Sequence, residues 1–283
     1  MKAVQFDQYG DLDVLYLGEL PAPSAGAGQV AVDVRAAGIN RGGSSIRSGA
    51  LKARFPLTFP SGQGWDAAGV VSALGPGVDS VAVGDQVACW GPQHASQAEQ
   101  VALSAGQVVR RPPAVPWEVA GPLYLVGTTA YAAVQAGDTV AVSAAAGSVV
   151  VQVLRRLGAH VIGIASEANH AWLRSVGATP VLHGKGLEGR LRETAPQGMD
   201  AFINCFGDGY CQLAVDLGIS PQRINTVADF AAAQKLGVKA EASAQASSSP
   251  TVSEIAEMVA SGEVVIPVPA SSPLAPVCEA YPE

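Results

Sequence analysis

The sequence predicts an α/β chain in which a small β-barrel precedes a doubly wound parallel sheet. Two observations carry this. The first hundred residues read as short alternating strands broken by glycine and proline turns. From Asp138 onward, apolar strand-like runs alternate regularly with helix-like segments. A length of 283 residues suits two ordinary domains. With 48% hydrophobic and 14% charged residues, the chain has material for packed cores, which argues against disorder.

The elements follow in order. In Gln29–Arg35, Val30, Val32 and Val34 share one face while Asp33 and Arg35 take the other, the period of a half-buried strand. Further strands are predicted at Lys2–Phe6, Gly69–Leu74 and Gln86–Trp90, set apart by the turn signals Gly75-Pro76-Gly77 and Gly84-Asp85. The character changes around Pro112–Pro116. Thr139–Val142 is then a short buried strand, and Ser148–Leu157 carries Val150, Val153, Leu154 and Leu157 at helical spacing. Gly158 stops that helix before the strand His160–Ala165, and Ala168–Val176 is helical again up to Gly177. Thr179–Leu182, Ala201–Cys205, Arg223–Val227 and Val238–Ala240 supply further strands with helical stretches between them. Gln245–Pro250 reads as a polar linker, Thr251–Ser261 as an amphipathic helix and Val264–Val268 as a last strand.

Charge and composition narrow the function. A net charge of −7 with no run of lysines or arginines argues against nucleic acid and anionic membrane as partners. The N-terminus has no apolar signal region and no stretch is long enough to span a bilayer, so a soluble cytoplasmic protein is expected. The four cysteines are scattered, and His94, His160, His170 and His183 lack metal-ligand spacing. No metal site is expected.

The chemistry-bearing feature is the strand–loop–helix at Val140–Leu157, with Ser143, Ala144, Ala145, Ala146, Gly147 and Ser148 at its turn. Small residues let backbone approach a pyrophosphate, and the helix N-terminus offers unpaired N–H groups. The bland reading is a tight turn packed on its own sheet. At the end of the next strand, Ala165 stands where an NAD site places an acid, and Ser166 follows it. That leaves room for a 2′-phosphate, with Asn169 and His170 nearby and His170 or Arg174 adding positive charge. Glu167 opposes it. NADPH is favoured over NAD.

The chain resembles the zinc-free, quinone-oxidoreductase-like branch of the medium-chain dehydrogenase/reductase superfamily. The matching stretches run nearly end to end: Met1-Lys-Ala-Val4, Ala36-Ala-Gly-Ile-Asn40, Ile46-Arg-Ser-Gly49, Gly64-Trp-Asp-Ala-Ala-Gly-Val-Val71, Gly75-Pro-Gly-Val78, Val83-Gly-Asp-Gln-Val87, Gly127-Thr-Thr-Ala-Tyr131, Ala136-Gly-Asp-Thr-Val140 and the Ala165–Ser166 strand end. The resemblance implies a GroES-like β-barrel domain over 1–117, a Rossmann dinucleotide-binding domain over 118–250 and a return to the first domain over 251–283, with the active cleft between them. It implies hydride transfer from a nicotinamide to a quinone or α,β-unsaturated carbonyl. Asn40, Trp65 and Thr129 would line the cleft, with Cys205, Phe206, Val227 and Ala228 flanking the cofactor. Trp65 and Phe206 are equally readable as core aromatics, and Cys205 and Cys211 as inert packing. Zinc-dependent relatives carry Gly-His-Glu where this chain has Gly64-Trp65-Asp66, and no cysteine lies near Asn40. A homodimer through Rossmann sheet edges is a further implication.

The chain also departs from that pattern. Gly147 runs straight into Ser148, about three residues short of the usual glycine fingerprint. Tyr131–Gly137 is short as well, and the sequence stops at Glu283, before the family's closing strand. Two explanations stay open: a protein that lacks these pieces, and a sequence closed up over residues the protein carries. Asn40-Arg-Gly-Gly-Ser-Ser-Ile46 replaces the Asn-Pro-x-Asp and aromatic of many relatives, so no single substrate is named. The short loop supports a second reading, a catalytically silent binding or scaffold module. A third, an S-adenosylmethionine site, fits less well because such sites favour an acid after the second strand and need no barrel domain.

Overall fold

The computed structural model describes residues 1–91, 95–128, 135–143, 147–240, 249–268 and 270–275. In chain order the elements are β1 (Lys2–Phe6), β2 (Tyr16–Glu19), β3 (Gln29–Ala37), α1 (Arg41–Arg47), β4 (Ser61–Gly62), β5 (Asp66–Leu74), β6 (Gln86–Trp90), β7 (Gln100–Ser104), β8 (Val108–Arg110), α2 (Trp117–Ala120) and α3 (Leu123–Thr128). Then come β9 (Thr139–Ser143), α4 (Gly147–Arg156), β10 (His160–Ala165), α5 (His170–Ser175), β11 (Thr179–Leu182), α6 (Leu187–Thr194), β12 (Ala201–Asn204), α7 (Tyr210–Asp216), β13 (Ile224–Thr226), α8 (Phe230–Leu236) and α9 (Ser249–Ala260). They fall into two compact units. One is Met1–Leu125 with Val252–Ser261 and Pro267–Glu283, and the other is Val126–Thr251 with Gly262–Ile266.

The first unit is the GroES-like β-barrel domain. An antiparallel sheet of order β7-β3-β5-β6-β8 lies beside a small sheet of order β2-β1-β4. The alternating valines of β3 put Val30 and Val32 into a core with Val71, Val87, Leu103 and Val108. Gly69 is required where β5 meets β3, because a Cβ there would lie 2.1 Å from the Asp33 carbonyl oxygen. Helix α1 forms over a glycine- and serine-rich stretch of poor helix propensity. Its start is fixed by Asn40, whose side chain accepts from Gly42 N at 3.0 Å.

The second unit is the Rossmann domain: five parallel strands in the order β11-β10-β9-β12-β13. Ala141, Ile162, Ile164, Phe202 and Ile224 share one core with Leu187 and Leu191 of α6, Cys211 and Ala214 of α7 and Ala233 of α8. Helix α4 buries Val149, Val150, Val153 and Leu154 and exposes Arg155 and Arg156, as its 3.6-residue period dictates. Left-handed Gly158 (φ +86°) ends it and turns the chain into β10. At the amino ends of the strands Arg223 pairs with Asp138 and donates to the Asp200 carbonyl at 3.3 Å, while the Asp200 carboxylate accepts from Thr139 N at 2.8 Å.

Three sequence expectations need correction. Val238–Ala240 is not a strand: only Lys239 bridges to β13, bonding Ile224 and Thr226 through its backbone just after the left-handed Gly237 cap. Val264–Val268 joins no ladder, because the Gln152 side chain takes both backbone groups of Val265, each at 2.9 Å. A side chain there does the work of a neighbouring strand. Of the linker predicted at Gln245–Pro250, Ser249 and Pro250 belong to α9, where proline in the first turn forfeits no helical bond. The remainder, 245–248, lies outside the described residues.

Candidate functional site

Three adjacent parallel strands end on hydrogen-bonding side chains at their carboxyl ends. β9 ends on Ser143, β12 on Asn204 and β13 on Thr226, and all three are fully buried. The Ser143 hydroxyl donates to Asn204 Oδ1 at 2.9 Å and accepts from Cys205 N at 3.0 Å. Asn204 Oδ1 also accepts from Phe206 N and Gly207 N at 3.1 and 3.2 Å, and its Nδ2 donates to the Gly207 carbonyl at 2.8 Å. One amide thereby shapes the whole turn after β12, in which Gly207 sits at φ +144°. Thr226 Oγ1 accepts from Ala228 N and Asp229 N at 3.2 and 2.9 Å, and Asp229 caps α8 by accepting from Ala232 N. Val227 N donates to the Asn204 carbonyl at 3.0 Å, tying the ends of β12 and β13 together.

The turn presents one large apolar side chain to solvent, Phe206, 51% exposed, with an edge-on contact to Tyr210. Cys205 beside it is buried, and burial pushes its thiol up to about 12. Burial also raises the Cys211 thiol. Both are protonated at neutral pH and unsuited to nucleophilic work.

Strand β10 ends on half-buried Ala165, and half-buried Ser166 follows it. Ser166 Oγ accepts from Asn169 Nδ2 at 3.1 Å, and His170 opens α5 immediately after. His170 Nε2 is buried with no hydrogen-bond partner among the described residues. Gly147 and Ser148 form the first turn of α4. Ala144, Ala145, Ala146 and Thr129 lie outside the described residues.

In the first unit, Asn40 and Trp65 come to one small cavity of ≈10 Å³, about the room for one water, with Phe6, Ile46 and Gln97. Trp65 packs edge-on to Phe55 at 6.2 Å, and Gly42 leaves space for its ring. Sequence reasoning missed Asn204 and Thr226, although an amide closing the apolar run Ala201–Ile203 is a visible signal. It also quoted Asp66 only for the ligand it replaces.

Residues 26–113 match the model of the alcohol dehydrogenase GroES-like domain. A probable quinone oxidoreductase of Leishmania amazonensis is 33% identical over 192 residues, 64% of this chain and 55% of that protein. The quinone oxidoreductase of Coxiella burnetii superposes with a TM-score of 0.81 at 26% identity, covering 99% of this chain and 94% of that one. The Escherichia coli quinone oxidoreductase, solved in complex with NADPH, shares the fold with a TM-score of 0.81 at 22% identity over 95% of this chain and 90% of that one. The chain spans 55% of the Leishmania protein's length, 68% of a Triphysaria versicolor quinone oxidoreductase and 52% of a rat synaptic vesicle membrane protein VAT-1 homologue.

A GroES-like barrel and a five-stranded Rossmann sheet on one chain define the medium-chain dehydrogenase/reductase architecture. Within that superfamily the chain is similar to quinone oxidoreductases in sequence and in fold.

Proposed function

We propose that this chain is an NADPH-dependent oxidoreductase that passes a hydride to a quinone or an α,β-unsaturated carbonyl without a metal ion. The observation that carries the reading is the carboxyl end of the parallel sheet. Ser143, Asn204 and Thr226 are neutral, buried and bonded at the strand ends, and β10 ends on Ala165 and Ser166 in place of an acid. Ligands of open α/β sheets sit outside the carboxyl ends of the strands.

The residues fit such a cofactor. Ser166, Asn169 and His170 would hold the 2′-phosphate, and the buried, unpartnered His170 Nε2 is a donor in want of an acceptor once protonated or in the Nε2–H tautomer. Exposed Glu167, next to Ser166 in the chain, opposes an anion there. Gly147 and Ser148, with Ala144–Ala146 before them, would face the pyrophosphate at the start of α4. Cys205, Phe206, Val227 and Ala228 would flank the nicotinamide. When bound, the cofactor supplies the hydride. The chain's own part is to orient it through the Asn204 turn and to keep water from it with Phe206. Cys205 stays a neutral thiol throughout.

The metal-free part rests on Trp65-Asp66 standing where zinc-dependent relatives carry His-Glu. A cytoplasmic location, a homodimer through a Rossmann sheet edge and boundaries at 117/118 and 250/251 belong to the same reading. No helix among the described residues is long and apolar enough to cross a membrane.

Calorimetric titration with NADPH and NADH, and NADPH oxidation with a simple quinone, test it. One charge-assisted hydrogen bond to the 2′-phosphate contributes about 1.5–3 kcal/mol, so NADPH should bind roughly 10- to 100-fold tighter than NADH. Binding of neither dinucleotide removes the reading and leaves the silent binding or scaffold module.

A further inference from the structure

Asp66 at the start of β5 is only 1% exposed, yet no hydride-transfer role calls for it. Its backbone carbonyl accepts from Gly38 N at 3.0 Å, which ties it to the stretch running into Asn40. Its side-chain Oδ2 accepts from Leu125 N at 3.1 Å, in the first turn of α3. The other oxygen, Oδ1, is buried with no hydrogen-bond partner among the described residues. A Cβ on residue 38 would lie 2.4 Å from that oxygen, so Gly38 is what leaves the carboxyl room. An asparagine would satisfy the Leu125 amide without placing a charge in the interior.

The surroundings do little to hold that charge. Among the described residues no ion pair reaches Asp66. Among the described residues its titratable neighbour is the Cys89 thiol on β6, which burial, with the Asp66 charge adding to it, pushes up to about 12 and so keeps neutral. Burial raises the Asp66 carboxyl to about 7, against the opposing pull of the Leu125 bond and of its own backbone amide.

We propose that Asp66 is a positioning residue: its carboxyl fixes the first turn of α3 against the Gly38–Asn40 stretch, and its charge state sets how firmly α3 is held. Helix α3 carries the chain from the first unit into the second and ends at Thr128, next to Thr129. The consequence for hydride transfer therefore rests on the function proposed above. The consequence for α3 does not.

Two effects of pH run in opposite directions. An ionised carboxylate is the stronger acceptor, so raising the pH through about 7 tightens the Leu125 bond. The folded-state value lies above the unfolded one, so the stability contributed by the protonated form is complete below about 3.8 and is lost as pH rises through about 7. Local order rises while global stability falls.

Comparison of the wild type with Asp66→Asn tests this. Between pH 5 and 8 the wild-type Tm should fall relative to that of the variant. Over the same range the Leu125 amide of the wild type should gain protection from hydrogen exchange, after correction for intrinsic rates, while in the variant it stays constant. Wild-type kcat for quinone reduction should show an inflection near pH 7 that Asp66→Asn lacks, with KM for NADPH within twofold. Parallel Tm curves, or Leu125 protection equal at pH 5 and 8, would overturn the proposal. If the variant does not fold, wild-type exchange at Leu125 decides alone. If no dinucleotide turns over, the reductase reading fails while Tm and exchange still judge Asp66.

Discussion

At the amino ends of the Rossmann strands the polar groups are charged and matched: Arg223 pairs with Asp138 and reaches the Asp200 carbonyl, while Asp200 accepts from Thr139 N. At the carboxyl ends of the same strands the groups are neutral: Ser143, Asn204 and Thr226 bond to one another's strands and to the turns that follow. Charges that already have partners hold a structure and leave nothing for a ligand. Neutral, prearranged groups can shape a turn without repelling an anionic dinucleotide. On the function proposed above, the difference separates the end of the sheet that stabilises from the end that would take the dinucleotide.

The largest effect expected is at Asn204. Asn204→Ala strips the turn of its shared acceptor and leaves the part-buried Phe206 and Gly207 N–H groups and the buried Ser143 hydroxyl without it, a loss of about 2–3 kcal/mol. Urea denaturation measures it, and NADPH binding should vanish in the folded fraction. Next is Ser166→Asp, which puts a carboxylate where the 2′-phosphate would sit. NADPH affinity should fall about 100-fold, roughly 2.7 kcal/mol, with NADH affinity unchanged or improved in parallel titrations. Arg223→Met breaks the pair at the opposite end. With Arg223 and Asp138 at 27% and 13% side-chain exposure, solvent screening holds the cost to about 1–2 kcal/mol. Dinucleotide affinity should stay within twofold, and a tenfold loss there would erase the contrast between the two ends. Ser143→Ala is the smallest, about 1 kcal/mol by urea denaturation with a few-fold weaker NADPH binding.

Much of this architecture was legible in the residues. Lys2–Phe6, Gln86–Trp90, His160–Ala165 and Thr179–Leu182 fall at the strand bounds read from periodicity, because each is a short apolar run closed by turn-forming or charged residues. Elements of weak local signal were not legible. Helix α1 forms on glycines and serines through its Asn40 cap, and the Val264–Ile266 segment is held by Gln152, more than a hundred residues away in sequence. At the candidate site, Ser143 and Ser166 were picked out at strand ends, and Cys205 through the family resemblance. Asn204 was not, because its role depends on Ser143 and Phe206 converging on one oxygen. Asp66 was hidden for a similar reason: only the fold shows that its carboxyl is enclosed.

The most direct test is a crystal structure of the chain with NADPH. The 2′-phosphate should lie within hydrogen-bond distance of Ser166 Oγ and His170 Nε2, with the nicotinamide beside Cys205–Phe206. A dinucleotide bound away from the carboxyl ends of β9, β10 and β12, or a 2′-phosphate touching neither Ser166 nor His170, would contradict the account.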